Sequence, residues 1–290
     1  MKILFCTDGS KISFNALESF SHWAKDAVVD TICVIDWSFL PEEVNIENTG
    51  FATSCAGIAD NILNSAVDEI SRLGLAVGER IKHCGGVVDA IIEQIKRNCY
   101  DLVVMGSHGK KGIQKWLGSV SREIVDNNIT SSFISQKPNQ GKRLLITIDG
   151  YHIAATDIEA FLPSLNLIDK EIYVCMVNED PNFLFLEGNI DSNWLIQIEK
   201  NQEQYAAKRL SKMRESLNSQ GVSIVESAIL VGIPAKEILK YAKSKNIDLI
   251  VTGTKSKNKI DSFLTGSVSR RVLENTDTDV LIIRKDNCTE

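Results

Sequence analysis

Short apolar runs alternate along this chain with longer segments of helical spacing. Ile3–Cys6, Thr31–Ile35, Arg80–Cys84, Leu102–Met105 and Ser132–Ser135 have the length of strands. Between them, Ile58, Ile62, Val67, Ile70 and Leu73, then Val88, Ile91, Ile92 and Ile95, recur at intervals that gather apolar side chains on one helical stripe. The alternation begins again at Arg143–Ile148 and runs through Glu171–Val177, Ser223–Ile229, Leu249–Thr252 and Val280–Arg284. Strands joined by helical crossovers pair in parallel, so the pattern predicts an α/β fold: two doubly wound five-stranded parallel sheets with helices on both faces, each in the order 3-2-1-4-5.

The second series is a copy of the first. Gly-Ser-Val-Ser-Arg stands at Gly118–Arg122 and at Gly266–Arg270, each time opening an amphipathic segment. Asp101-Leu-Val-Val-Met-Gly106 matches Asp248-Leu-Ile-Val-Thr-Gly253, and the Asp8-Gly9 turn matches Asp149-Gly150. Offsets of 141 and 148 residues are too long for a solenoid and fit a duplicated domain. The polar stretch Gln136–Gly141 marks the seam, giving expected domains at 1–138 and 142–290.

In an open parallel sheet, ligands bind beyond the carboxyl ends of the strands where the winding reverses, here between strands one and four. That brings Thr7, Asp8 and Gly9 to face Gly106 and the loop after it. Asp8 offers a carboxylate to ligand donors, and glycines such as Gly106 and Gly109 admit close backbone approach. At Gly118-Ser119-Val120-Ser121 the first amides of a helix lack intrahelical partners and, with two serine hydroxyls, suit phosphate oxygens. The whole reads as a mononucleotide cradle. The same residues singly have plainer readings: Asp-Gly is a common turn, and serine a common helix cap.

A net charge of −6 disfavours nucleic acid as a partner. No stretch approaches the ~18 apolar residues of a membrane span, and the chain enters its first strand-like run without a charged leader, so a cytoplasmic location is expected. Seven cysteines without Cys-x-x-Cys spacing, among them Cys6, Cys33 and Cys175 in apolar runs, read as reduced core residues. His22, His83 and His152 have no metal-ligand spacing. His108 lacks an evident catalytic partner, and the second copy carries Lys255 in its place.

On these motifs the chain resembles the universal stress proteins in their tandem form. The match covers Thr7-Asp8-Gly9-Ser10, Val34-Ile35-Asp36, the strand-four motif and the Gly-Ser-Val-Ser helix start. The resemblance implies the adenine nucleotide alpha hydrolase-like sheet, a stress-responsive role and, in one branch, ATP held by Gly-x-x-Gly, nine residues, then Gly-Ser or Gly-Thr; the other branch lacks the pattern and does not bind ATP. Carried over, Asp8 and Val34 touch the adenosine end and Gly106, Gly109, Gly118, Ser119 and Ser121 hold phosphates, with Thr7 and Val120 beside them. The second-copy positions are Asp149, Met176, Gly253, Ser256, Gly266, Ser267, Val268 and Ser269. The implied ligand is ATP, ADP or AMP, with magnesium as a companion of the phosphates. It further implies that the two edge strands pair within the chain as a pseudo-twofold dimer; a homo-oligomer and a protein partner stay open.

Each copy departs from the pattern once. Eight residues, not nine, separate Gly109 from Gly118, while Ser256 replaces the second glycine of the other copy. Lys110, Lys111 and Lys115, and Lys255, Lys257 and Lys259, either steer phosphates or are solvated loop residues. Three function classes stand: a nucleotide-responsive regulatory protein, a binder of another small molecule or lipid, and a slow ATP hydrolase. The second draws on the apolar segments Trp37, Phe39, Leu40 and Phe183–Leu186, although such segments more often cover a sheet edge or make an interface.

Overall fold

In the computed structural model, residues 1–36, 51–109, 117–127, 129–148, 152–180, 192–254 and 267–284 are described. The first half runs β1 (Lys2–Cys6), α1 (Lys11–Ser21), β2 (Val28–Ile35), α2 (Phe51–Arg72), β3 (Ala76–Cys84), α3 (Val87–Asn98), β4 (Leu102–Gly106), α4 (Ser119–Asn127) and β5 (Ser131–Ser135). The second half runs β6 (Arg143–Ile148), α5 (His152–Phe161), β7 (Glu171–Asn178), α6 (Ser192–Ser219), β8 (Ile224–Val231), α7 (Pro234–Ser244), β9 (Leu249–Gly253), α8 (Ser267–Asn275) and β10 (Asp279–Ile283). All strands join one sheet in the order β3-β2-β1-β4-β5-β10-β9-β6-β7-β8. Each half therefore has the expected 3-2-1-4-5 order, and the last strands of the two halves meet.

That meeting is the one antiparallel pairing among the described strands, with Leu281 opposite Phe133. Alternate residues along β1 feed opposite faces of the sheet: Ile3 and Phe5 pack into one apolar layer, Leu4 and Cys6 into the other. Both layers cross the junction, since Phe133 and Leu281 share the first while Ile134 and Val280 share the second. Fully burying side chains of this size contributes about 1.5–3 kcal/mol each, so these residues dominate the adhesion of the halves. The seam residues are anchored there as well. Gln136 N–H and Asn139 Nδ2 donate to the buried Asp279 carboxylate at 2.8 and 2.7 Å.

The junction has the reciprocity of a twofold axis. Arg122 of α4 pairs with Glu274 of α8 at 3.6 Å, and Arg270 of α8 pairs with Asp126 of α4 at 3.5 Å. The arginines that close the repeated Gly-Ser-Val-Ser-Arg phrases thus serve the contact between halves.

Two departures from the sequence reading have physical causes. β3 starts at Ala76 rather than Arg80, because Gly78 and Glu79 form a bulge opposite Asp30 and break the hydrophobic pattern. Asp30, nearly inaccessible, accepts from Glu79 N–H at 2.7 Å and Tyr100 Oη at 2.9 Å, and Lys2 Nζ lies 3.3 Å away. α6 continues for 28 residues with a weaker apolar stripe than the other long helices, which is why spacing did not delimit it.

Candidate functional site

The turn after β1 builds itself from its own side chains. Ser10 N–H donates to Asp8 Oδ1 at 2.9 Å, and Ser10 Oγ caps α1 by accepting from Ser13 N–H at 3.2 Å. Ser13 Oγ donates to Ser10 C=O at 2.8 Å, so the 2.8 Å contact between Thr7 Oγ1 and Ser13 Oγ is made with the Thr7 hydrogen. Gly9 takes φ of +73°, and a Cβ there would lie 2.8 Å from Ile62 Cγ1 of α2. Glycine is required on both counts.

Across the crevice, β4 ends at Gly106 beside β1. A Cβ at Gly106 would come within 2.8 Å of Ile12 Cγ2, so this glycine lets β4 press against α1. A Cβ at Gly109 would come within 2.7 Å of Asp8 Oδ2, which places the loop after β4 directly against the carboxylate after β1. Gly118 N–H donates to Ser107 C=O at 2.6 Å, and Gly118 C=O accepts from Arg122 N–H at 3.0 Å, fixing the start of α4 over that loop. Ser121 Oγ donates to Gly106 C=O at 2.8 Å. Its hydroxyl hydrogen thus clamps the helix to β4, and the groups of α4 left to meet a ligand are the amides of Ser119, Val120 and Ser121 and the exposed Ser119 hydroxyl.

Thr7, Asp8, Val34, Gly106, Gly109, Gly118, Ser119, Val120 and Ser121 all line one cavity of about 650 Å³. Residues nearly a hundred positions apart in sequence converge there because β1 and β4 are neighbours. The far wall is apolar: Ile58 and Ile62 from α2, Val34 from β2, and Val87 and Ile91 from α3. Ile58 is 53% exposed, an aliphatic group that stays in water unless something covers it. The site is amphipathic, with oriented amides at one end and aliphatic side chains at the other. Cys6 lies in its floor, and burial pushes its thiol well above the ordinary range, so it is no nucleophile.

Sequence reasoning missed the α2 and α3 wall and His108. Ile58 and Ile62, four residues apart, belonged to a stripe that reads equally well as core.

In the second half, Met176 is buried in β7, Gly253 ends β9, and Ser267, Val268 and Ser269 open α8 with the same exposed, intermediate and buried sequence as Ser119, Val120 and Ser121. Asp149, Ser256, Gly266 and both lysine loops lie outside the described residues, as do Trp37, Phe39, Leu40 and Phe183–Leu186. The crevices differ on the wall that α2 supplies in the first half. α2 and α6 end in matching turns, Leu75 N–H to Ile70 C=O at 3.1 Å and Val222 N–H to Leu217 C=O at 3.0 Å, with Gly74 and Gly221 at φ +72° and +76°. Counting back from these turns, Ile62 corresponds to Arg209, which is buried.

Among the described residues, no group of three His, Cys, Asp or Glu is arranged to hold a metal, and no helix is long and apolar enough to cross a membrane.

The sheet order, the duplicated turns and the paired edge strands define a tandem α/β protein of the doubly wound class. The sequence profile of the universal stress protein family matches residues 1–127 and 163–284, and the chain belongs to that family. It is 32% identical over 160 residues to a universal stress protein of Methanocaldococcus jannaschii, a match spanning 54% of this chain and 90% of the relative. A putative universal stress protein of Staphylococcus aureus is 30% identical over 157 residues, spanning 50% of this chain and 85% of the relative. The crystal structure of a universal stress protein from Archaeoglobus fulgidus superposes with a TM-score of 0.66 at 18% identity, over 99% of this chain and 97% of the other, which shows a shared fold.

Proposed function

We propose that the first half binds an adenine nucleotide (ATP, ADP or AMP) in the crevice between β1 and β4, and that occupancy makes the chain a nucleotide-responsive regulatory protein in stress physiology. The observation that carries this reading is the convergence of nine residues on one amphipathic cavity. Its aliphatic wall of Val34, Ile58 and Ile62 fits a purine ring and its α4 amides fit phosphate oxygens. The volume of about 650 Å³ lies within the usual range of small-molecule sites. Magnesium would ride with the phosphates: the ion prefers phosphate and water ligands with one or two carboxylates, and Asp8 is a carboxylate at the cavity.

Arg209, in place of Ile62, supports assigning the site to the first half alone. A buried charge needs polar partners around it, so Arg209 does not offer the apolar surface that Ile62 gives the first half. Isothermal titration of the full chain with ATP, ADP and AMP should give saturable binding with a stoichiometry close to one. Absence of heat and of thermal stabilisation with all three would overturn the proposal.

The exposed Ile58 also favours a second reading, an apolar small molecule or lipid in the same cavity. Native mass spectrometry of the purified chain separates the two, a nucleotide mass supporting the first and a hydrophobic ligand mass the second.

A further inference from the structure

His108 occupies the loop between Gly106 and Gly109 and lines the cavity, yet the reading above gives it no task. Its side chain is only 8% exposed. Nδ1 lies 3.0 Å from Ser107 Oγ, while Nε2 is buried without a hydrogen-bond partner. A buried polar nitrogen left unpaired is costly, and such groups are rare enough in folded proteins to require a reason.

The Ser107 contact decides which ring nitrogen carries hydrogen. Ser107 is 2% exposed, and its hydroxyl makes a single side-chain hydrogen bond among the described residues, to His108 Nδ1. If Nδ1 bore the hydrogen, the buried hydroxyl hydrogen would have no side-chain acceptor among the described residues. With the hydroxyl donating to Nδ1, the imidazole hydrogen sits on Nε2, and the ring presents a donor in need of an acceptor. The surroundings specify the acceptor. His108 Cα lies 3.2 Å from where a Cβ on Gly118 would stand, so the ring is based at the α4 N-terminus, where the helix dipole and the free amides favour negative charge.

We propose that His108 is a ligand-binding residue whose Nε2–H donates to a phosphate oxygen of the bound nucleotide, with Ser107 as the positioning residue that holds the ring in the donating tautomer. The proposal rests on the nucleotide reading and adds to it the group that discriminates phosphorylated ligands from the bare nucleoside. Lys255 at the matching place in the second half can also donate, but it has no ring for a neighbouring hydroxyl to hold in one tautomer.

The test is titration of the full chain, as wild type and as the variants His108→Phe, His108→Gln and Ser107→Ala, with ATP, ADP, AMP and adenosine. Phenylalanine keeps the ring and removes the donor; glutamine keeps an N–H near the Nε2 position. The expected result is that His108→Phe weakens ATP and ADP about 10- to 100-fold while changing adenosine less than about threefold, and that His108→Gln recovers most of the loss. Ser107→Ala is expected to weaken phosphorylated ligands by a smaller factor. Equal ATP affinity for wild type and His108→Phe would overturn the His108 assignment and leave the nucleotide proposal standing. An equal loss for adenosine and ATP would also overturn it, by showing that the ring only packs. Wild-type chain that binds none of the four would remove both proposals together. Should His108→Phe not fold, nitrogen-15 chemical shifts of the wild-type imidazole give the same answer: ATP must shift Nε2 and adenosine must not.

Discussion

Asp279 offers the sharpest physical test of how the halves are joined. It opens β10, is fully buried, and receives hydrogen bonds from Gln136 N–H and Asn139 Nδ2 at 2.8 and 2.7 Å. Burial pushes its carboxyl up from 3.8 to about 6, outweighing the bonds from the seam that act the other way. Between those two values the folded chain holds a proton that the unfolded chain has lost, so stability falls as pH rises. The contribution is complete below pH 3.8 and is lost as pH passes through about 6. At about 1.4 kcal/mol per pH unit over a window of roughly two units, it amounts to about 3 kcal/mol. The perturbation is Asp279→Asn, which keeps the shape and removes the titration. Urea denaturation of both proteins at pH 4, 5, 6 and 7 should give a stability difference that moves by about 3 kcal/mol in favour of the variant from the lowest pH to the highest. Carbon-13 NMR of the Asp279 carboxyl should show a midpoint near 6. A flat difference curve, or a midpoint near 4, would refute the claim that burial outweighs the seam hydrogen bonds.

Gly78→Ala should destabilise the chain by about 1–3 kcal/mol in urea, because its Cβ would strike Asp30 Oδ1; an unchanged midpoint would show that the bulge relaxes freely. Ser119→Asp should weaken ATP binding at least tenfold by setting a carboxylate against the phosphates, and should leave thermal stability without ligand within about 0.5 kcal/mol, measured by titration and by melting. Native labelling with a thiol reagent at pH 8, mapped by mass spectrometry, should modify the exposed Cys99 before the other four cysteines among the described residues. It should spare Cys175, whose thiol burial pushes up to about 12, until the chain unfolds; early labelling of Cys175 would contradict the packing of β7.

The strand order was legible because it depends on period and crossover length alone, and each half shows both. The convergence of Asp8 with Ser119 was legible for the same reason, since neighbouring strands one and four fix where their carboxyl ends lie. What stayed hidden depends on contacts that no period records. The bulge at Gly78 follows from Asp30, an acid in the middle of an apolar run, and hides the first residues of β3 from the hydrophobic pattern. Arg122 and Arg270 follow Ser121 and Ser269 in the repeated phrase, and nothing in its spacing shows that each reaches across to the other half. His108 was set aside because the second copy lacks it. The argument that a site residue should recur in both copies holds only where both copies keep the same site.

That last condition is where the two kinds of residue part. The contact between halves is reciprocal, so every ion pair takes one residue from each copy, and loss of Arg122 or Arg270 removes one of two matched bonds. Such pairs are worth at most about 1 kcal/mol each at this exposure, but they lie over the apolar layer in which Ile134 of β5 and Val280 of β10 pack together. Neither copy can drift there without cost to the other. The crevice contact of Ile62 with Gly9 is different, since it lies within one half and takes no residue from the second copy. One copy can then accept a buried arginine at position 209, or lose a loop glycine as at Ser256, while the junction persists and the other crevice stays intact. Duplication thus holds the frame common to both halves while each crevice is free to change, and a binding stoichiometry close to one is the result expected if the proposed site belongs to the first half alone.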